Sequence, residues 1–217
     1  MINIHEKIRL EIEKYFDFSK TSHAILKTTN VSNVNNIDAE SGVVINLELV
    51  NNIRRINKFH NAVNEKLDKD NHYIICSETL EERRKRVWKK APFGFKNIVR
   101  SVDFIYKRVI PKLPLIKKIY FSITHGYNRV LSKAEILGRL VSCGFEIIEY
   151  FEFENLFYVI SKKNKIPDYN MSASYSPIFK MNRIGFKGEI IGVYKVRTMY
   201  PYSEYLQELI IKENKLE

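Results

Sequence analysis

Cysteine is scarce in this chain. Its two thiols, Cys76 and Cys143, stand in the apolar contexts Ile-Ile-Cys and Val-Ser-Cys-Gly. Two such residues build neither a disulfide framework nor a metal-type Cys pair, so both are expected buried and reduced in a cytosolic protein. Long apolar runs are also missing. Nothing approaches the ~18–20 uninterrupted apolar residues of a bilayer span. The opening Met-Ile-Asn-Ile-His-Glu-Lys-Ile carries charge where a secretory leader needs an apolar core. The 8 glycines form neither G-x-G-x-x-G nor G-x-x-x-x-G-K-[ST], which argues against both common nucleotide cradles. His5, His23, His60, His72 and His125 show no metal spacing, and no serine sits in G-x-S-x-G.

Acids are missing from one stretch in particular. Between Arg83 and Lys118 stand 13 Lys/Arg and one acid, Asp103, a local charge of +12 in a chain of net +11. The basic character therefore belongs to this segment. Phe93, Phe95, Phe104, Tyr106, Tyr120 and Phe121 interleave with its cations, and Pro-Lys-Leu-Pro-Leu-Ile-Lys-Lys sets apolar groups beside charge. Such a segment reads as a solvated charged helix pair or as a face for anionic lipid. Nucleic acid is the least favoured partner. The membrane-surface candidates are Arg83, Arg84, Lys85, Arg86, Lys89, Lys90, Lys107, Arg108, Lys112, Lys117 and Lys118. Peripheral attachment to the inner face of the cell membrane is the matching location.

Hydrophobic residues make up 45% and aromatics 12% of the chain, enough for a real core at this length. Ile4, Ile8, Ile12 and Tyr15 predict a short amphipathic helix. Residues 19–41, rich in Ser, Thr and Asn, read as irregular. Gly42–Leu47 reads as a buried strand and His72–Ser77 as a second. Leu49, Ile53, Ile56, Val63 and Leu67 place a helix between them, with Asn46 as its cap. This is a βαβ unit, better read as structural than as a ligand site. Residues 78–110 predict two helices parted by Pro92 and Gly94, the second ended by Pro111 and Pro114. Ser132-x-x-Glu135 is a capping box, and Gly144 suits the position after the helix it opens. Phe145–Glu154 and Leu156–Ser161 predict a hairpin turning at Glu154-Asn155. Lys162–Asp168 is a polar linker. Two short strands around Phe186-Lys-Gly188 and a helix over 203–216, capped by Ser203, close the chain.

Two resemblances rest on these residues. Arg183-Ile-Gly185, eight residues, then Tyr194-Lys-Val-Arg-Thr-Met199 resembles the opening motif of bacterial sugar transferases of the Bacteroidetes type. With Pro201-Tyr-Ser-Glu-Tyr-Leu-Gln207, the likeness covers about residues 176–207. That family moves a sugar-1-phosphate from a nucleotide sugar to a polyprenyl phosphate in glycan-lipid and surface polysaccharide assembly. The resemblance implies phosphate binding by Arg183, Lys195 and Arg197, and Mg²⁺ in a complete member. The family's catalytic Asp-Glu dipeptide occurs nowhere in the chain, so no catalytic residue is assigned and an inert N-terminal portion is expected. The order of elements over residues 42–163, including Cys-Gly-Phe-Glu-Ile-Ile148, is similar to the C-terminal half of a class I methyltransferase fold. That family binds S-adenosylmethionine mainly through its other half, so the resemblance implies a scaffold. The expected fold class is α/β: a methyltransferase-like partial Rossmann-type sheet with helices, extended by a C-terminal β-hairpin and helix. The expected division is 1–163, a methyltransferase-like domain without a cofactor loop, and 164–217, the start of a sugar transferase domain. The alternative reading is a degenerate methyltransferase-like module on an anionic membrane or a partner protein.

Overall fold

The computed structural model of the chain describes residues 4–38, 41–113, 116–167 and 178–214. Strands β1 (His23–Leu26), β2 (Val43–Leu49), β3 (His72–Ser77), β4 (Phe145–Phe153) and β5 (Leu156–Lys163) form one sheet in the spatial order β1-β2-β3-β5-β4. β1, β2 and β3 are parallel, and β5 inserts antiparallel between β3 and β4. The sheet is therefore mostly parallel, and the chain has the α/β class its pattern predicts. Around it lie helices α1 (Glu6–Glu13), α2 (Val31–Asn35), α3 (Ile56–Lys66), α4 (Leu80–Lys90), α5 (Lys96–Phe104), α6 (Lys117–Thr124), α7 (Lys133–Ser142) and α8 (Gln207–Asn214).

Side chains alternate across a strand, so a sheet covered on both faces builds two cores. Val44, Tyr73, Ile75, Phe157 and Val159 face one cluster, closed by Phe59 and Val63 of α3 and Ile136 and Leu140 of α7. Val43, Ile45, Ile74, Tyr158 and Ile160 face the other, covered by Ile8 and Ile12 of α1. Both cysteines are buried and free, and burial pushes each thiol up to about 12. A thiol that does not ionise near neutral pH is a poor nucleophile, so both serve as small core side chains.

The structure revises several local expectations. β1 and α2 lie inside the stretch whose composition reads as irregular. Four residues, His-Ala-Ile-Leu, are too short to show a strand period. β2 runs on to Leu49 across a register shift, because its pairing with β3 continues to Cys76. Asn46 is consequently a buried strand residue rather than a cap. It accepts from Thr28 N at 3.1 Å and donates to Thr28 O at 3.0 Å, bracing the end of β1. α3 starts later, at Ile56, after a 3₁₀ turn over Val50–Asn52. The β4–β5 turn falls at Glu154 and Asn155, both with positive φ, as a tight right-twisting hairpin requires. Ser132 Oγ accepts from Glu135 N at 3.2 Å, and Gly144 takes φ +86 after α7.

Residues 200–206 pack back on the sheet's helices. Leu206 joins the core of α3 and α7, and Tyr202 is 3% exposed. The Tyr202 hydroxyl accepts from Asn57 Nδ2 at 2.9 Å, and its ring lies 4.5 Å from the Arg139 guanidinium. Ser203 donates to Tyr200 O at 2.8 Å and does not cap α8, which begins at Gln207 after a 3₁₀ turn. The predicted helix end at 215–216, the linker residue Asp168 and the helix stop Pro114 lie outside the described residues. Strands β6 (Ile178–Ile184) and β7 (Ile190–Val196) form a separate two-stranded sheet.

Gly138 of α7 makes the close approach of Tyr202 possible. A Cβ there would stand 2.2 Å from Tyr202 O and 2.8 Å from its carbonyl carbon. Gly138→Ala is expected to push residues 200–206 off α7 and cost about 1–3 kcal/mol, despite the better helix propensity of alanine. Thermal unfolding followed by circular dichroism measures this; an unchanged or raised midpoint would show that the contact is slack.

Candidate functional site

Residues 78–132 leave the sheet after β3 and return before α7. Their two ends are pinned side by side: Leu80 N donates to Leu131 O at 2.8 Å, and Thr79 and Leu131 form a parallel bridge. Asn51, buried just past β2, locks both ends. Its Nδ2 donates to Glu78 O at 2.8 Å and Arg129 O at 2.7 Å, while its Oδ1 accepts from Ser77 Oγ and Glu78 N. Every hydrogen-bonding valence of that buried amide is thus used.

The next constraint is a buried cation. Arg83 on α4 is 5% exposed. Its Nε and Nη2 donate to the two carboxylate oxygens of Asp103 on α5, at 2.8 and 2.7 Å. Its Nη1 donates to Asn128 Oδ1 at 2.5 Å and reaches Glu78 Oε2 at 3.4 Å. The fork geometry of a guanidinium suits such a carboxylate, and burial demands that its donors be met. This clamp fixes which side of α5 faces α4. α5 presents Asp103 inward, so Ile98 and Val102 point away from the protein, and Ile105, the residue just after α5, is exposed. No residue of α5 is buried. Its apolar stripe, at the 98, 102, 105 spacing that normally marks a core face, lies in solvent.

The exposed apolar surface continues on both sides. Phe93 in the α4–α5 turn is 95% exposed, and the neighbouring Phe95 is exposed as well. After α5 the helix widens into a π turn over Ile105–Val109 and tightens into a 3₁₀ turn ending at Lys112. Tyr106 meets Tyr120 of α6 edge-on, with ring centroids 5.6 Å apart. α6 then exposes Ile119 and Ile123, with Ile116 just before it. Behind α6, the guanidinium of Arg129 lies 5.6 Å from the Phe121 ring centre. Burial, then the charge of Arg139, pulls Arg129 down to about 10. Arg129 still carries its charge at neutral pH, and its Nη2 donates to Ile53 O. An apolar cleft of ≈ 260 Å³ remains between α4 and α5, lined by Leu80, Val87, Phe104 and Ile105 among others.

The structure separates the membrane-surface candidates into groups. Arg83 and Arg108 are corrected: both are buried and internally paired, so neither presents charge to a surface. Arg108 Nη1 donates to Val130 O at 3.0 Å, stands 3.7 Å from Glu135 Oε2, and lies against the Tyr200 ring. Arg86 pairs with Glu78 through Nε and Nη2 at 2.5 and 2.8 Å, a hydrogen bond that raises its pKa. Exposed Lys85 pairs with Glu82 at 2.6 Å. Lys107 is half-buried against the Tyr106 ring; desolvation first, then the Arg83 charge, lowers its pKa. Arg84, Lys89, Lys90 and Lys118 are exposed. The side chains of Lys112 and Lys117, and residues 114–115, lie outside the described ones. Asp103 is the residue that sequence reasoning misses. Its signal is its isolation, as the one acid among thirteen cations.

Arg183, Lys195 and Arg197 are not brought together. Arg183 lies opposite Ile191 and Lys195 opposite Phe179, so the two share a hairpin face but stand four positions apart along it. At ~3.3 Å per residue that is about 13 Å of backbone along the strand. Arg197, beyond β7, ion-pairs with Glu204 at 3.6 Å.

No family model matches the chain, and no curated protein matches it. Among solved structures it is similar to an O-methyltransferase family protein from Burkholderia thailandensis, at 10% identity and TM-score 0.36, over 64% of this chain and 34% of that one. It is also similar to a chain described as a SAM-dependent methyltransferase from Methanosarcina mazei, at 12% identity and TM-score 0.37, over 62% of this chain and 65% of that one. The chain therefore spans less than two thirds of the length of either. The sugar-1-phosphate transferase expectation is corrected. No family model matches the stretch that carries its motif. A role in polysaccharide assembly and the implied Mg²⁺ are withdrawn with it. Among the described residues, no group of three or more His, Cys, Asp or Glu could hold a metal ion.

The loop after β1 is not the glycine-rich cradle that the resemblance implies for S-adenosylmethionine. That loop reads Lys27-Thr-Thr-Asn30, without glycine, and Asn46 occupies the backbone polar groups of Thr28. Glu48 near the end of β2 accepts from Asn52 Nδ2 at 2.7 Å. No chemical step is derived through that cofactor.

If the Arg83–Asp103 clamp orients α5, Asp103→Asn should destabilise the chain by about 1.5–3 kcal/mol in denaturant unfolding. Glu13→Gln, which breaks the exposed pair with Arg9 at 2.7 Å, should cost a few tenths. Equal effects would mean that the clamp contributes no more than a surface ion pair.

Proposed function

We propose that this chain is a degenerate methyltransferase-like α/β module that docks on an anionic membrane surface through α5, the π turn and α6. The observation that carries this reading is the inverted amphipathicity of α5, whose apolar stripe faces outward while its acid is held inward by Arg83. An interfacial helix needs apolar side chains that enter the acyl boundary and cations level with the headgroups. Ile98, Val102, Ile105, Ile119 and Ile123 serve the first need, and Arg84, Lys89, Lys90, Arg100 and Lys118 the second. Charge decides the occupant. The segment's excess of cations complements anionic lipid, and each near such a surface contributes ~1 kcal/mol. No helix among the described residues is long and apolar enough to cross a membrane, so the contact proposed is peripheral.

Co-sedimentation with phosphatidylcholine vesicles, with and without phosphatidylglycerol, tests this. Binding to anionic vesicles should exceed binding to neutral ones and fall steeply with salt. Replacing Arg84, Lys89, Lys90 and Lys118 by alanine should remove most of that excess, and Ile98→Asp with Ile119→Asp should abolish binding without lowering the melting midpoint. Equal partition onto both vesicle types would sink the electrostatic version, and a tolerated aspartate pair would sink the insertion.

A further inference from the structure

A second cationic feature lies at the other side of the 3₁₀ turn after β2, outside the basic segment that dominates the sequence. A cleft of ≈ 550 Å³ opens between α2 and the start of α3. It stands beyond the carboxyl ends of β1 and β2, the place where open α/β sheets take their ligands. Arg54, Arg55 and Lys58 line it together with Thr29, Ser32 and Asn35, and its lining contains no acid.

Two properties make this more than a patch of surface charge. First, Arg54, Arg55 and Lys58 are exposed and form no ion pair with the described residues, whereas Arg83, Lys85 and Arg86 of α4 are paired. Arg54 is steered by the Phe121 ring, 5.9 Å from its guanidinium. Second, the opposite wall is held rigidly. Asn46 braces Thr28 from beneath, Thr28 Oγ1 accepts from Asn33 Nδ2 at 2.8 Å, and Asn30 Oδ1 accepts from Ser32 N at 3.0 Å. Among the described residues, no partner engages the hydroxyls of Thr29 and Ser32.

We propose that this cleft binds a phosphate-bearing anion. Arg54, Arg55 and Lys58 supply the charge, and the hydroxyls of Thr29 and Ser32 supply further donors to phosphate oxygens. Guanidinium forks match such oxygens in pairs, and a lysine adds a point charge. The anion is either a free polyphosphate or the phosphomonoester headgroup of a lipid, which share this chemistry. The cleft shares no lining residue with α5 or α6, and binding of a soluble phosphate needs no membrane, so the two readings fail independently.

Inorganic pyrophosphate is titrated into the full chain by calorimetry, and vesicles containing phosphatidic acid are compared with phosphatidylglycerol vesicles of equal charge. Saturable pyrophosphate binding is expected, weakened about tenfold or more by Arg55→Glu with Lys58→Glu. Lys7→Glu with Lys20→Glu, the same change in net charge around α1 on the opposite face of the sheet, should shift it less than about twofold. If pyrophosphate does not bind, but a preference for phosphatidic acid exists and disappears in the Arg55/Lys58 variant, the occupant is the headgroup and the site stands. Absence of both signals, or equal weakening by both double variants, would overturn the proposal. Unchanged melting midpoints of the exposed-site variants keep folding out of the comparison.

Discussion

A single buried guanidinium sets the surface of this protein. Arg83 must satisfy its donors, and it does so with a carboxylate on the next helix and an amide on the returning loop. Because Asp103 is drawn inward to meet it, the apolar side of α5 is turned outward. Breaking such a pair leaves an uncompensated buried charge, which is why its orientation dominates the weaker preference of a few isoleucines for burial. The exposed apolar stripe is thus a consequence of electrostatics at the helix interface.

The sheet gives that clamp a fixed base. Asn51 ties the departure and return of the 78–132 excursion to the end of β2, and the bridge of Thr79 with Leu131 closes it. The carboxyl ends of the parallel strands therefore support two cationic features on one scaffold: an apolar-basic face on α5 and α6, and an acid-free cleft between α2 and α3. The Arg54 guanidinium lies 5.9 Å from the ring centre of Phe121 of α6.

Buried elements are legible in the sequence, and polar ones are obscure. β2, β3, α7, β4 and β5 announce themselves because each places runs or alternations of Ile, Val and Phe against a core, with caps and turn residues at their ends. β1 is hidden by its four-residue length. The start of α3 is misplaced because Leu49 and Ile53 continue the helical spacing by coincidence while β2 pairs on to Cys76. The helical period of α5 is plain, but periodicity alone does not say whether an apolar stripe faces a core or a solvent boundary. Arg83 and Arg108 illustrate the same limit: in a run of thirteen like charges, nothing local distinguishes these two buried ones from the exposed cations beside them. The motif around Arg183, Lys195 and Arg197 spreads its cations along the hairpin, because spacing along a chain is not proximity. Antiparallel register sets the first two about 13 Å apart.

The outward face of α5 and α6 is, on this account, where the protein meets an anionic membrane. Amide hydrogen exchange, measured with and without phosphatidylglycerol vesicles, tests that claim most directly. The account predicts slowed exchange confined to residues 93–124, with α1 and the β4–β5 hairpin unchanged. Protection that is absent, or that falls on α1 or the β6–β7 hairpin instead, would contradict it.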